Sequence, residues 1–506
     1  MQATNSIDGI LSRRTKICNI GFIALAAAGL FRALAKTDAD PDLWGHLRFA
    51  LDVLKTGQIR AVDCYSYTTA GQTWINHEWL SETLFGLAWT MGGTIGLQIL
   101  KIVVGFAILG LLFRFLTSLG IPPLRAVILL IISFLMLMPT AFAVRPHMFT
   151  SLGFAFTMII LYQAESGQYK QLWTLPLIFA AWVNLHGGFL AGAAMVALWA
   201  FFHFLGNYRQ WSKFLPPLII SAGATLLNPY GIKLPWFLLH TATVKRPEIT
   251  EWSSLHPISI TGGIYTALLA ISVLGLVYSR RPKLKNLVVL FAISAILPFI
   301  AIRHVNLFAV AAVVFVGDHA ADAWDRLWRS PSRTFTVKNW LVAILPALAA
   351  IFIFLPSLRM IDKINVDKKF YPVTAVAILK NSQAEGNLAT SFNWGEYILG
   401  HLGPRIKVMM DGRRETVYHP EIYNQYISFN YGLHEWDEIL KKFPTEMALL
   451  ETGSASCNLL ALKPEWQLIY KDEVSSLFVK KDSRWLEPIR KAAEATKPLA
   501  GDIYFP

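Results

Sequence analysis

Apolar residues run along this chain in blocks of about twenty, not in the alternation of a half-buried strand or the stripe of a surface helix. The blocks lie near 17–35, 93–116, 125–143, 149–164, 172–185, 188–206, 214–228, 262–279, 286–302, 305–317 and 339–357. A bilayer core of about 30 Å asks a helix for stretches of this length. The pattern therefore predicts an α-helical polytopic membrane protein with about eleven spans. The first block follows Arg13, Arg14 and Lys16, as a signal peptide would. It lacks a small-residue cleavage site and is read as a retained span. After Leu358 charges and turn residues return. Helix-like runs over 374–380 and 394–401 alternate with strand-like runs over 388–391, 407–410, 447–451, 466–470 and 476–480. That alternation predicts a soluble C-terminal α/β domain of about 140 residues, enough to bury its own core. The expected organisation is 1–16 as a cytoplasmic N-terminus, 17–358 as the transmembrane domain and 359–506 as an extracytoplasmic domain.

Composition agrees with the blocks. Charged residues are 16% of 506, against about 25% in a soluble protein, and mean hydropathy is +0.44. The net charge of +13 raises the question of nucleic acid, but its distribution answers it. Arg13/Arg14/Lys16, Arg114/Arg125, Lys170, Arg209/Lys213, Arg280/Arg281/Lys283/Lys285 and Arg326/Arg329/Arg333/Lys338 sit between apolar blocks. Positive charge there sets orientation, with the N-terminus inside and the C-terminal domain outside. Anionic lipid headgroups or a phosphate-bearing substrate are a second use for such charge. No nucleic-acid partner is expected. Cys18, Cys64 and Cys457 show no metal-ligand or redox spacing.

Two outer loops are long, 36–91 and 228–259, and long ordered loops usually do something. The first opens with Asp38, Asp40 and Asp42. Three carboxylates at alternate positions beside a bilayer repel one another. They suit a divalent cation, Mg2+ or Mn2+, or a catalytic base. A helix N-cap by Asp40 or Asp42 before Leu43 explains one of them and leaves two over. Amphipathic stretches over 43–54 and 77–89 fit helices at the membrane surface. His77 and Glu78 add a titratable pair, and the neighbouring tryptophans suit either interfacial anchoring or sugar stacking. In the second loop Glu248 or Glu251 is a candidate to complete a metal site, with a plain solvated loop as the alternative.

Polar groups interrupt the apolar blocks at Arg145-Pro146-His147, at Asn184-Leu185-His186-Gly187-Gly188, and at Arg303-His304 with Asn306. Such residues at membrane depth are costly and are functional candidates by default. All three clusters fall on the outer side, where Arg145 and Arg303 suit a phosphate, since a guanidinium binds its oxygens bidentately. Each cluster taken alone also reads as a turn between spans. In the C-terminal domain Trp394-Gly395-Glu396-Tyr397 and Asp411-Gly412-Arg413-Arg414-Glu415 stand out. The second reads as a turn with a local ion pair, and no nucleophile elbow, P-loop or zinc signature accompanies it.

The acidic first loop, the many spans and the outward α/β domain resemble the GT-C superfamily of membrane glycosyltransferases. That superfamily includes protein O-mannosyltransferases, oligosaccharyltransferase catalytic subunits and aminoarabinose transferases. Asp40-Pro-Asp-Leu-Trp-Gly-His-Leu, Arg145-Pro-His-Met-Phe, Trp182-Val-Asn-Leu-His-Gly-Gly-Phe-Leu and the Asp411-Gly-Arg-Arg-Glu region look like those of bacterial GT-C-like membrane proteins. The resemblance implies transfer of a sugar from a polyprenyl-phosphate donor to a glycan, lipid or protein acceptor. The expected place is the outer face of the bacterial cytoplasmic membrane. It implies Asp40 or Asp42 as base or metal ligand, since Asp38-x-Asp40 and Asp40-x-Asp42 fit the acidic spacing equally. Arg145 and Arg303 would meet the phosphate, and His77, Glu78, His147, His186 and His304 would give polar support. A flippase for a lipid-linked glycan and a non-catalytic envelope scaffold are the rival readings.

Overall fold

The computed structural model describes residues 2–141, 143–242, 244, 246, 249–327, 339–499 and 501–506. Glu248, Arg329, Arg333 and Lys338, named above, lie outside the described residues. The chain divides into two compact units. One comprises Met1–Lys36 and Gln98–Asp362, the other Thr37–Leu97 and Lys363–Pro506.

The first unit is a bundle of apolar helices. By length and composition, five helices among the described residues can cross a membrane: Trp79–Ser118, which is shared between the units, His147–Glu165, Phe189–Ala224, Ile260–Tyr278 and Ile302–Leu327. Shorter apolar helices cover Asn19–Ala35, Pro123–Met138, Lys285–Phe299 and Ile344–Met360. The segment Ile302–Leu327 is the bundle's axis, with 89% of its apolar window buried against 28% for Ile260–Tyr278. Its sequence explains this. Leu307 to Gly317 is apolar or small on every face, the signature of a helix surrounded by others. Small residues let backbones approach: a Cβ on Gly275 would stand 2.9 Å from Ala320 Cα. Trp182 is seated in the same way, against Gly153 and Gly192.

The second unit is built on a five-stranded sheet in the order Ile406–Val408, Gly386–Thr390, Met447–Glu451, Ser475–Lys480, Trp466–Lys471. The first two pairings are parallel and the last two antiparallel. Met447–Leu450 is buried throughout, as a central strand covered on both faces should be. The loop segment 37–97 is part of this unit. Its helix Leu43–Thr56 packs on the helix Gly395–Leu402, with the Trp44 side chain over Gly400. The helix stops at Gly57, whose φ of 67° is the left-handed conformation glycine adopts without a Cβ penalty. Farther on, Ser66 bridges to Val408, and Tyr67 N–H donates to the Val408 carbonyl at 3.1 Å. The loop thereby covers one open edge of the sheet. The stretch expected as a short helix over 77–89 begins at Trp79 and runs on to Ser118 through a kink at Gly92 and Gly93.

Candidate functional site

In the unit built on the sheet, the acidic run forms a turn into a helix. Asp40 Oδ1 accepts the Asp42 N–H at 3.1 Å, and Asp42 occupies the N-cap position of Leu43–Thr56 without a side-chain capping bond. Asp38 is placed apart: it bridges to Asn365, whose side-chain amide donates to its Oδ1 at 3.1 Å. The Asp42 side chain instead converges with Glu396. A Cβ on Gly412 would stand 2.5 Å from Asp42 Oδ1 and 2.8 Å from Glu396 Oε1. Gly45 leaves room on the other side, since a Cβ there would collide with the Glu396 carboxyl. Two glycines, one from each segment of the unit, thus make the space for this pair of acids.

Glu396 is buried and its Oε2 has no hydrogen-bond partner. Burial, and then the charges of Asp42 and Asp411, hold its carboxyl well above the usual range. These surroundings favour its protonated form. Nearby, His46 Nδ1 contacts Glu82 Oε1 at 3.1 Å, and Asn76 donates to Glu82 Oε2. Burial alone would push the imidazole down. The hydrogen bond to Glu82 and the charges of Glu78, Glu82 and Asp42 outweigh it and raise His46 to about 9. His46, Glu78 and Glu82 are the group of three potential metal ligands, with donor atoms within 4.8 Å of one another, found among the described residues. With His46 protonated, an imidazolium is the cation among these carboxylates. His77 pairs with Glu78 at 3.6 Å.

The Asp-Gly-Arg turn contains the local ion pair expected, and reaches farther. Arg413 donates to both oxygens of Asp411 at 2.9 and 2.6 Å, and to Asp63 Oδ1 at 2.7 Å. The guanidinium lies 5.0 to 5.2 Å from the ring centres of Phe49, Tyr65 and Trp74. Asp63 is held besides by Tyr65 N–H, Ser66 and Thr69. This is a structural clamp between residues 350 positions apart in sequence.

In the helical bundle, three of the interrupting clusters meet. His147 and His186 rings are 4.3 Å apart between centres, and Arg303 hydrogen-bonds His147. His186 is positioned by a relay: Trp182 Nε1–H donates to Thr150 Oγ1, whose hydroxyl meets His186 Nδ1 at 2.7 Å. Gly188 N–H also donates to that nitrogen, which makes Nδ1 the acceptor and leaves the proton on Nε2. Arg145 pairs with Glu251 at 2.8 Å. Trp252, next in sequence, lies under both Arg246 at 4.0 Å and Arg303 at 4.8 Å. His304 is turned away, its Nδ1 donating to the Leu297 carbonyl at 3.1 Å. Asn184 spans the backbone carbonyls of Ala180 and Leu227.

Sequence reasoning singled out Glu396 only as part of a conspicuous tetrapeptide and passed over His46, Glu82, Asp63, Arg246 and Trp252 as site members. A signal existed for His46: it lies one helical turn after Asp42. For Glu396 none did, because nothing local pairs it with a position more than 350 residues upstream.

No protein-family model matches the chain, and no curated protein matches it. Among solved structures, the oligosaccharyltransferase of Archaeoglobus fulgidus in its apo form is similar with a TM-score of 0.57 at 14% identity, over 87% of this chain and 69% of that one. AglB of the same organism, in complex with an inhibitory peptide and a dolichol-phosphate, gives 0.55 at 13%, over 85% and 69%. ArnT from Cupriavidus metallidurans bound to undecaprenyl phosphate gives 0.50 at 12%, over 95% and 99%. At these identities the likeness establishes the fold alone: a bundle of membrane-spanning apolar helices with a C-terminal sheet domain.

Proposed function

We propose that the chain transfers a sugar from a polyprenyl-phosphate donor to an acceptor hydroxyl or amide, with Asp42 as the base. The observation that carries this reading is the Asp42–Glu396 pair. Asp42 opens a helix without capping it, and its oxygen shares one small space with a buried acid whose surroundings favour the protonated form. That form spares Asp42 a second full negative charge there. In the proposed step Asp42 takes the proton of the acceptor group as its electron pair attacks the anomeric carbon. The bond from that carbon to the phosphate oxygen breaks, and the phosphate leaves with the electrons. Such a leaving group gains from guanidinium charge; within the helical bundle Arg145 and Arg303, with His147 and His186, are the groups suited to a lipid phosphate. Asp40, whose carboxylate closes the turn, is assigned to positioning.

The reading extends to a divalent cation. Asp40 and Asp42 offer carboxylate oxygens alone, donors of the kind Mg2+ or Mn2+ takes, while Asp38, engaged with Asn365, is left out of the set. Asp40 and Asp42 would hold the ion, which when bound supplies charge to offset the phosphate. Transfer that is unchanged after EDTA treatment would sink this part of the reading.

The reaction takes place, in this proposal, on the outer face of a cytoplasmic membrane, with the N-terminus inside. The test is glycan transfer in proteoliposomes supplied with a panel of polyprenyl-phosphate sugars. Asp42→Asn is expected to lower turnover by about 10²–10⁴-fold while thermal unfolding stays unchanged, and Asp40→Asn by less. Wild-type protein that consumes no donor, with both variants behaving as wild type in cells, favours a scaffold or a flippase instead.

A further inference from the structure

A second pocket in the sheet unit, of about 350 Å³, lies at the far end of the helix Leu43–Thr56 from Asp42. Fourteen residues separate its ends by about 20 Å. Arg48, Lys55, Arg60 and Lys407 line it, with one carboxylate, Asp52. That carboxylate is already engaged: Arg48 lies 3.4 Å from it and Tyr65 O–H donates to it at 2.8 Å. Among the described residues, Lys55, Arg60 and Lys407 find no ion-pair or hydrogen-bond partner for their side chains. Leu399, Pro404 and Ile406 supply an apolar wall. Cations near a helix C-terminus favour the helix dipole, which accounts for Lys55. It does not account for Arg60, in the loop after the helix, or Lys407, on the edge strand. In a contrasting pocket of similar volume, around Trp436 and Asp437, Lys441 and Lys463 both pair with Asp437, Lys442 pairs with Glu421 and Lys480 lies over the Trp466 ring.

Three side-chain cations from three elements therefore converge on one concavity with no counter-charge left for them. We infer that this pocket binds a phosphate- or carboxylate-bearing group, and that it is the docking site for the anionic part of the acceptor. The acceptor assignment rests on the transferase reading; the anion site does not. Guanidinium and ammonium groups converging in this way bind such oxygens through charge-assisted hydrogen bonds. The apolar wall would take the ring or chain that bears the charge.

Cys64 lies in the pocket and is exposed, so its alkylation reports occupancy at this place. The full chain is put into nanodiscs of phosphatidylcholine, and Cys64 labelling by a neutral maleimide is followed by peptide mass spectrometry. Inorganic pyrophosphate is expected to slow labelling saturably, and added salt to weaken the effect. Arg60→Gln with Lys407→Gln should raise the protecting concentration about tenfold or more. Unprotected labelling rates equal to wild type would show that the variant's pocket is intact. Wild-type labelling that pyrophosphate does not slow overturns the proposal. So does protection that the double variant retains, and so does protection that appears only when phosphatidylglycerol replaces the neutral lipid. None of these readings depends on transfer activity, so a failed transferase assay leaves the result standing.

Discussion

Arg413 and Glu396 are both buried ionisable groups of the sheet unit, and the fold treats them in opposite ways. Arg413 has two carboxylates and three aromatic rings around its guanidinium. Glu396 has a carboxyl oxygen without a partner and two acids as neighbours. Compensating a buried charge fully costs residues from several elements and yields a fixed geometry. Leaving an acid uncompensated costs stability as soon as it ionises, and such groups gather where chemistry is done. The first arrangement reads as a clamp and the second as part of a reaction site.

The comparison breaks most visibly at the clamp. Arg413→Ala leaves Asp63 and Asp411 buried without their cation, and is expected to cost about 3–5 kcal/mol. Urea unfolding of the purified protein, followed by tryptophan fluorescence, measures it. Arg413→Lys should recover part of this, since a point charge replaces the fork. A loss under about 1 kcal/mol for Arg413→Ala would mean that the clamp is decorative.

His46 stands between the two cases, because its compensation depends on pH. Its raised value of about 9, against 6.5 for an ordinary imidazole, makes the protonated form the one that stabilises the fold. The contribution, about 3 kcal/mol, is fully present below pH 6.5 and is lost as pH rises through about 9. The stability difference between wild type and His46→Ala should therefore be largest near pH 6 and shrink toward pH 10. A difference that grows with pH would reverse the assignment.

Glu396→Gln sharpens the other side and has the smallest expected effect on stability near pH 4, under about 1 kcal/mol. The folded surroundings favour the neutral acid, whereas the unfolded chain ionises it near the ordinary value of 4.5. The raised group stabilises the fold fully below that value, and the contribution declines as pH rises above it. Glutamine cannot ionise, so the variant should lack this part of the decline. Thermal unfolding measured from pH 4 to pH 9 separates the two slopes, and parallel curves would refute the neutral-acid description.

Much of the fold could be read from the chain because the physics involved is local. Apolar blocks at 149–164 and 262–279 became the helices His147–Glu165 and Ile260–Tyr278. The strand-like runs at 447–451 and 476–480 became Met447–Glu451 and Ser475–Lys480. The helices Pro420–Tyr431 and Leu486–Ala495 went unread: the first has only a weak apolar stripe, while the second is short but amphipathic, and its pattern was there to be read. The meeting of His147, His186 and Arg303 was only partly legible: a shared side of the membrane follows from counting spans, contact does not. Pairings such as Asp42 with Glu396, and Asp63 with Arg413, were beyond local reasoning. Each joins positions hundreds of residues apart, and neither partner's neighbours announce the other.

The way the loop 37–97 completes the sheet unit has a consequence for biosynthesis. This loop leaves the ribosome long before Lys363–Pro506 exists, and at ordinary elongation speeds the wait is on the order of tens of seconds. During it Trp44, Phe49, Tyr65 and Trp74, all buried in the finished protein, have no core to enter. The nascent chain must shelter these side chains against the bilayer surface or a chaperone until its last third arrives. Maturation of this unit is therefore tied to synthesis of Lys363–Pro506, and a chain released before it would expose a sticky aromatic segment to quality control.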